Sequence, residues 1–268
     1  MALPTRVRER MVAGLKRLVP IVNQQKARDV SEPDTVTLVK DVLSDVFGYD
    51  KYAEVTSEHA IRGTYCDLAV KLSDKLSMLI EVKSAGTALD DRHVKQAIDY
   101  GSNQGCDWVV LTNASQWRLY QVIFAKPIDK RLVGEIDLTT IETRKEDSLE
   151  KLWPLTKEGF IKGAHLELRD RQDATSRYVL AALLTCNETI VSAIRRELRR
   201  VVDVLVDDAD IVKALQLEVI KRDTLEGPEA EVACRRVNRR EGKAIRKAKE
   251  AGDTPDDIAR HLPGDTSE

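Results

Sequence analysis

Aromatic residues are scarce in this chain of 268 residues, with three Phe, three Trp and six Tyr. With a third of the residues charged, this implies a helix-rich protein with a limited core. No apolar run is long enough to span a bilayer, and the first residues lack the apolar segment of a secretory signal, so no membrane role is expected. Only four cysteines occur, Cys66, Cys106, Cys186 and Cys234, without CxxC or Cys/His ligand spacing. That pattern argues against a zinc site or a disulfide framework and leaves reduced, partly buried thiols, with the cytoplasm as the expected compartment. A strong charge of either sign is also missing: the formal net charge is −2. The molecule as a whole is therefore not a basic nucleic-acid binder. Its basic residues are clustered, however. Residues 1–30 hold seven Lys/Arg against Glu9 and Asp29, and residues 235–250 hold eight, including Arg235, Arg239 and Lys243, against Glu241 and Glu250. Such stripes either follow a phosphate backbone or form solvated helix faces.

The hydrophobic periodicity divides the chain. Val7, Met11, Val12, Leu15, Leu18 and Val19 predict an amphipathic helix within residues 1–30, bent or interrupted at Pro20. A second helix is expected after Ser31, with Glu32 and Pro33 in its first turn and Gly48 as its stop. Strands are expected at Tyr52–Thr56, 66–72, 78–83, Trp108–Thr112 and Gln116–Phe124, with a helix from about Asp91 to Asn103 that Gly105 ends. The order α-β-β-β-α-β-β describes an α/β domain over 31–128. Residues 129–160 read as a linker, and 161–268 as a helical region with candidate helices at 175–186, 188–205, 209–222 and 228–251. The final stretch, Thr254 to Glu268, is expected to fray. Leu180, Leu183, Leu184, Ile190, Ile194, Leu198, Val201 and Leu205 recur at heptad-like steps, as in a homodimer surface or, more plainly, an intramolecular core.

Two short apolar runs carry the chemistry, Cys66-Asp67-Leu68-Ala69-Val70-Lys71-Leu72 and Met78-Leu79-Ile80-Glu81-Val82-Lys83. The polar link Ser73-Asp74-Lys75 predicts a β-hairpin. If the hairpin is symmetric about Asp74, Asp67 faces Glu81, and Lys83 joins them by the strand's period of two. Two carboxylates in close approach raise one another's pKa or require a cation. A hard divalent ion, Mg²⁺ above all, satisfies both. The plainer alternative is a solvated cross-strand Lys–Glu pair, which the apolar flanks disfavour.

Asp67, Glu81-x-Lys83 and the α-β-β-β-α-β order resemble the PD-(D/E)XK nuclease core, a restriction-endonuclease-like fold with a mixed central sheet. More specifically, the stretch from Ser31 to about Pro127 resembles the N-terminal nuclease domain of type I restriction enzyme R subunits. The resemblance rests on Ser31-Glu32, Phe47-Gly48-Tyr49-Asp50, Cys66-Asp67-Leu68, Ile80-Glu81-Val82-Lys83, Gln96-x-x-x-Tyr100, Leu111-Thr112-Asn113 and Trp117-Arg118-Leu119-Tyr120. It implies that Asp67, Glu81 and the Val82 carbonyl bind Mg²⁺ (or Mn²⁺) and that Glu32 reaches it through water. It also implies that Lys83 orients or helps deprotonate the attacking water, and that Gln96 and Tyr100 lie beside the active site near DNA. Restriction subunits carry a helicase motor after this domain. This chain has no G-x-x-x-x-G-K-[ST] loop, so translocation by this chain is excluded. The expected function is a metal-dependent DNA endonuclease in restriction or phage defence. The alternative is a catalytically silent DNA-binding or assembly module working with a separate motor, methyltransferase or specificity subunit.

Overall fold

The computed structural model describes residues 3–61 and 64–251, and the side chains of these except 58–65, 241 and 243–251. The tail from Thr254 and the side chains of Lys243, Arg246, Lys247 and Lys249 lie outside the described residues. The chain forms two compact units, one of residues 1–169 and one beginning at Asp170.

The first unit is built on a six-stranded sheet, with β1 (Val55–Ile61), β2 (Thr64–Leu72), β3 (Lys75–Val82), β4 (Trp108–Thr112), β5 (Gln116–Ile123) and β6 (Asp129–Asp137) side by side in chain order. Every pairing is antiparallel except β3 with β4. A parallel neighbour requires a crossover, and α3 (Lys95–Gln104) supplies it. The sheet is thus mixed, as expected. α3 covers one face, where Ala69, Leu79, Val109 and Leu111 pack with Ala97 and Ile98. The other face buries Leu68, Val70, Ile80, Val82 and Val110 against α1 (Thr5–Ala27) and α2 (Glu32–Asp45). Alternate residues over 68–70 and 78–82 thus serve opposite layers, as the strand period requires, whereas Cys66 packs with the α3 layer.

Several boundaries differ from the sequence reading. Helix α1 runs through Pro20 without a break. Pro20 is on the exposed side while Leu18 and Val22 are buried, so water can satisfy the carbonyl that proline leaves unpaired. β1 starts at Val55 rather than Tyr52, because Asp50 accepts from the backbone N–H groups of Tyr52 and Ala53 and folds that stretch into a turn. α3 starts at Lys95 rather than Asp91, since Asp90 holds Arg92 and His93 in a turn in the same way. The stretch 129–160, read as a linker, carries β6, α4 (Glu146–Glu150) and the start of α5 (Lys157–Ile161), and its Leu138, Leu149, Leu152 and Leu155 are buried in the α1/α2 layer.

Ser31 caps α2 by accepting from the Asp34 N–H, and Glu32 and Pro33 occupy the first turn as expected. At the other end Gly48 has φ +85°. The Arg10 guanidinium lies where a Gly48 Cβ would be, and donates to the carbonyls of Val46 and Phe47 while pairing with both oxygens of Glu158. Gly48→Ala should therefore cost about 2–4 kcal/mol, from left-handed strain and the displaced arginine. Urea unfolding checks this, and in an Arg10→Ala background the cost should shrink to about the backbone part.

The helical region runs α6 (Ala164–Ala174), α7 (Arg177–Cys186), α8 (Glu188–Val202), α9 (Asp208–Ala214), α10 (Arg222–Leu225) and α11 (Pro228–Ala251). In the second unit, Ala182 of α7 packs against Ala233 and Val237 of α11, and a Cys186–Cys234 disulfide joins the same two helices. This corrects the expectation of four reduced thiols: helical packing brings together two cysteines 48 residues apart. Cys66 and Cys106 are free and buried. Of the heptad-like apolar series, Leu180, Val201 and Leu205 are exposed and the others half-buried, and Leu183 packs against the small buried cluster of Ala182, Ala233 and Val237. Among the described residues no single helix is long and apolar enough to cross a membrane; α7 and α8, bent by 69° at their break, meet that measure together by length and composition only.

Candidate active site

The hairpin joining β2 to β3 sets the site. Ser73 and Asp74 both have positive φ, 50° and 62°, and close a two-residue turn between Leu72 and Lys75. The sequence reading placed a three-residue link there. A two-residue turn by itself would set Asp67 opposite Ile80 and send Glu81 to the other face. The register instead shifts between Lys71–Leu76 and Val70–Met78, which leaves Ser77 as a bulged extra residue. Beyond the bulge Leu68 pairs with Ile80, and one residue further Asp67 stands beside Glu81. Glu81 thus projects on the α3 face, two residues from Leu79; Cys66 packs on that face too, so the alternation of β2 lapses beyond Leu68, and Asp67 is placed by its bond to the Val82 N–H.

At this point side chains replace the backbone ladder. Asp67 Oδ2 accepts from the Val82 N–H at 2.7 Å, and the Cys66 thiol donates to the Ile80 carbonyl at 3.2 Å. Cys66 is buried, and burial followed by the charges of Glu81 and Asp67 pushes its pKa up to about 12, so it stays a thiol. Cys66 and Ser77 are the two contributors that the sequence reading missed as such. No short-range pattern marks a bulge, and nothing in the sequence sets Cys66 apart from the other scattered thiols.

Glu81 is 5% exposed. Lys83 Nζ lies 2.7 Å from its Oε1 and 3.4 Å from Oε2 of Glu32, at the start of α2. The Glu81 pKa is raised to about 7: burial raises it most, the Lys83 hydrogen bond and charge lower it, and the charges of Asp67 and Glu32 raise it. For Lys83, burial favours the neutral amine, but the Glu81 hydrogen bond and the charges of Glu81, Glu32 and Asp67 outweigh it and raise its pKa. Lys83 is therefore an ammonium at neutral pH, suited to stabilise negative charge rather than to take a proton. Four sequence-nominated residues, Glu32, Asp67, Glu81 and Lys83, thus converge, with Val82 joined through its N–H.

Gln96 is exposed on α3, which packs on the same sheet face, and lines a surface depression of about 340 Å³ with Arg92, Lys95, Asp99, Tyr100 and Asn103. Tyr100 is itself buried, and its pKa is raised by burial and then by Cys66 and Cys106. Arg235 and Arg239 lie on α11 in the second unit, and the Lys243 side chain is outside the described residues.

The pKa of Glu81 carries a stability consequence. A carboxyl whose folded pKa lies above its unfolded value destabilises the fold once pH passes the unfolded pKa, here between about 4.5 and 7. Glu81→Gln should therefore stabilise the metal-free protein by about 1–2 kcal/mol at pH 8, with the gain vanishing near pH 4.5. Denaturant midpoints across that range test this; a loss of stability at pH 8 would mean the Lys83 pair outweighs the burial cost.

Whether these groups suit a divalent cation turns on their chemistry. Among the described residues no three His, Cys, Asp or Glu side chains form a ligand cluster. Two neighbouring carboxylates, one buried and poorly ionised, do suit a hard ion that keeps several waters and takes only one or two carboxylates from the protein. The Val82 carbonyl, two residues past the Leu68–Ile80 pair, is the third donor that the resemblance suggests.

Residues 39–129 match the family model described as the type I restriction enzyme R protein N terminus. This segment resembles the N-terminal domain of those R proteins. The match covers a third of the chain, from within α2 to the first residue of β6, and includes Asp67, Glu81, Lys83, Gln96 and Tyr100. Glu32 and the second unit of the chain fall outside the R-protein-like segment. No curated protein and no solved structure matches the chain.

Proposed function

We propose that the first unit is a metal-dependent DNA endonuclease that hydrolyses phosphodiester bonds in a restriction or phage-defence setting. The observation that carries this reading is the convergence of Asp67, Glu81 and Lys83 at the splayed end of the β2–β3 ladder, within the segment matching the R-protein family model. Asp67 and Glu81 are the oxygen donors for Mg²⁺ or Mn²⁺, with the Val82 carbonyl beside them and Glu32 within reach of Lys83. A bound divalent ion supplies an acidified water and a counter-charge for the phosphate. The Lys83 ammonium steadies charge that develops on the phosphate and orients the attacking water. Gln96 belongs to the exposed side of α3 along which the strand would run, and Tyr100, buried beneath it, supports that helix on the sheet. The fold holds each group in place: Asp67 is fixed by the Val82 N–H, and the Lys83 backbone by its N–H bond to the Thr112 carbonyl at 2.8 Å.

A second reading is a silent module that binds DNA or assembles with a separate motor, methyltransferase or specificity subunit. The existing neutralisation of Glu81 by Lys83 favours it. Incubating DNA with the chain in Mg²⁺, in Mn²⁺ and in EDTA separates the two. Products that need the metal support the nuclease. Retention of DNA without product under any metal condition supports the silent module.

A further inference from the structure

The arginines of α11 occupy one side of that helix. At 3.6 residues per turn, Val232, Arg235, Arg236, Arg239 and Arg240 follow at i, i+3, i+4, i+7 and i+8 and share a face. They line a surface depression of about 820 Å³. Ala233 and Val237 lie on the adjoining flank of α11, in the contact with α7, where the Cys186–Cys234 disulfide also fastens it. The helix that carries the arginine face is therefore anchored along its flank. Arg235 pairs with Glu231 at a marginal 3.5 Å, and no ion pair of Arg236, Arg239 or Arg240 is found among the described residues. Like charges three and four residues apart cost the helix stability, so four guanidiniums on one face are an expense unless a polyanion meets them.

We infer that this face of α11 is a sequence-independent clamp for the phosphate backbone of duplex nucleic acid, a second binding surface separate from the hydrolytic chemistry of the first unit. Three features favour a phosphate backbone. The charges are guanidiniums, whose planar forks fit phosphate oxygens in pairs. They stand as two adjacent pairs one helical turn apart, about 6 Å along the axis, the same order as the separation of successive phosphates on a strand. The face carries a single apolar residue, Val232, because the apolar side of α11 is already covered by α7. A helix lying on a lipid surface needs an apolar face of its own, so a membrane is disfavoured.

The test uses the full chain in EDTA, where no metal-dependent chemistry operates, with a fluorescent 30-base-pair duplex followed by anisotropy between 50 and 200 mM KCl. Binding without metal keeps the result independent of whether the first unit cuts. Replacing Arg235, Arg236, Arg239 and Arg240 together with glutamine should weaken binding at 100 mM salt at least about tenfold. It should also reduce the slope of log affinity against log salt by about 3 to 4, near 0.9 for each phosphate no longer neutralised. The matching set of four lysines keeps the charge and should retain most of the slope. Circular dichroism verifies that both variants keep the helices. An unchanged slope in the glutamine variant overturns the proposal. So does an equal loss in the lysine variant, which would mark a structural role. A loss of binding to vesicles of phosphatidylserine and phosphatidylcholine, with duplex binding intact, would also overturn it and make the face a lipid surface.

Discussion

Lys83→Ala should lower Mg²⁺-dependent DNA cleavage by on the order of 10²-fold or more while leaving the protein folded. The backbone of residue 83 is held by its N–H bond to Thr112, and its side chain is one-fifth exposed, so truncation opens a gap that water can fill. What disappears is the ammonium 2.7 Å from Glu81. Two consequences follow. The site loses a positive charge that would face the phosphate, and Glu81 loses the hydrogen bond that lowers its pKa. Residual activity of the variant should therefore rise with pH to higher values than that of the wild type, because a carboxyl must be ionised to hold a metal. Asp67→Asn provides the companion result. Asparagine still offers an oxygen to the Val82 N–H but removes the charge, so the fold should survive while cleavage falls to a similar degree. Asp67→Ala also strands that N–H and should cost a further 1–3 kcal/mol or so of stability. Wild-type cleavage by Lys83→Ala, Asp67→Ala and Glu81→Ala alike would place the activity elsewhere.

How much of this was legible in the sequence varied with the range of the interaction. The short apolar runs 66–72 and 78–83, bounded by a polar link, revealed the two strands, and Ser31, Gly48 and Gly105 marked helix ends, because caps and left-handed residues act locally. The convergence of Asp67, Glu81 and Lys83 was readable because a strand's period of two is strict. It was readable for a partly mistaken reason, however. A hairpin symmetric about Asp74 and a two-residue turn followed by a bulge at Ser77 give the same pairing beyond Val70, and only coordinates distinguish them. Glu32 could be nominated from the resemblance, but its 3.4 Å approach to Lys83 depends on α2 packing across the sheet. The role of 129–160 was hidden because its buried leucines are sparse and lie among charges, a pattern that looks like a linker until α1 and α2 provide the surface they cover. The Cys186–Cys234 pairing depends on the packing of α7 on α11, which spacing does not reveal, and it removes the support that scattered thiols gave to a reducing compartment.

The bulge yields the other large effect. Deleting Ser77 removes the extra residue and no more: Leu72 still meets Lys75, Lys71 meets Leu76, Val70 meets Met78, and Asp67 remains beside Glu81. Cleavage by that variant should stay within a few-fold of wild type. Deleting Lys75 as well leaves no spare residue. The two-residue turn is already the shortest common hairpin connection, so the loop cannot absorb the loss. Leu76 then pairs with Leu72, Met78 with Lys71, and the shift carries Glu81 opposite Leu68, toward the layer of Val70, Val110 and Leu43. A buried carboxylate without a partner costs several kcal/mol, and Ile80 and Val82 would be turned out of that layer at the same time. The double deletion should lose stability by several kcal/mol and cleavage by on the order of 10²-fold or more, whereas the single deletion keeps both. Urea unfolding beside the cleavage assay reads both quantities. Comparable activity in the two deletion variants would show that register is not what brings the acids together, and a folded but inactive single deletion would show that the bulge itself, rather than the parity it restores, shapes the site.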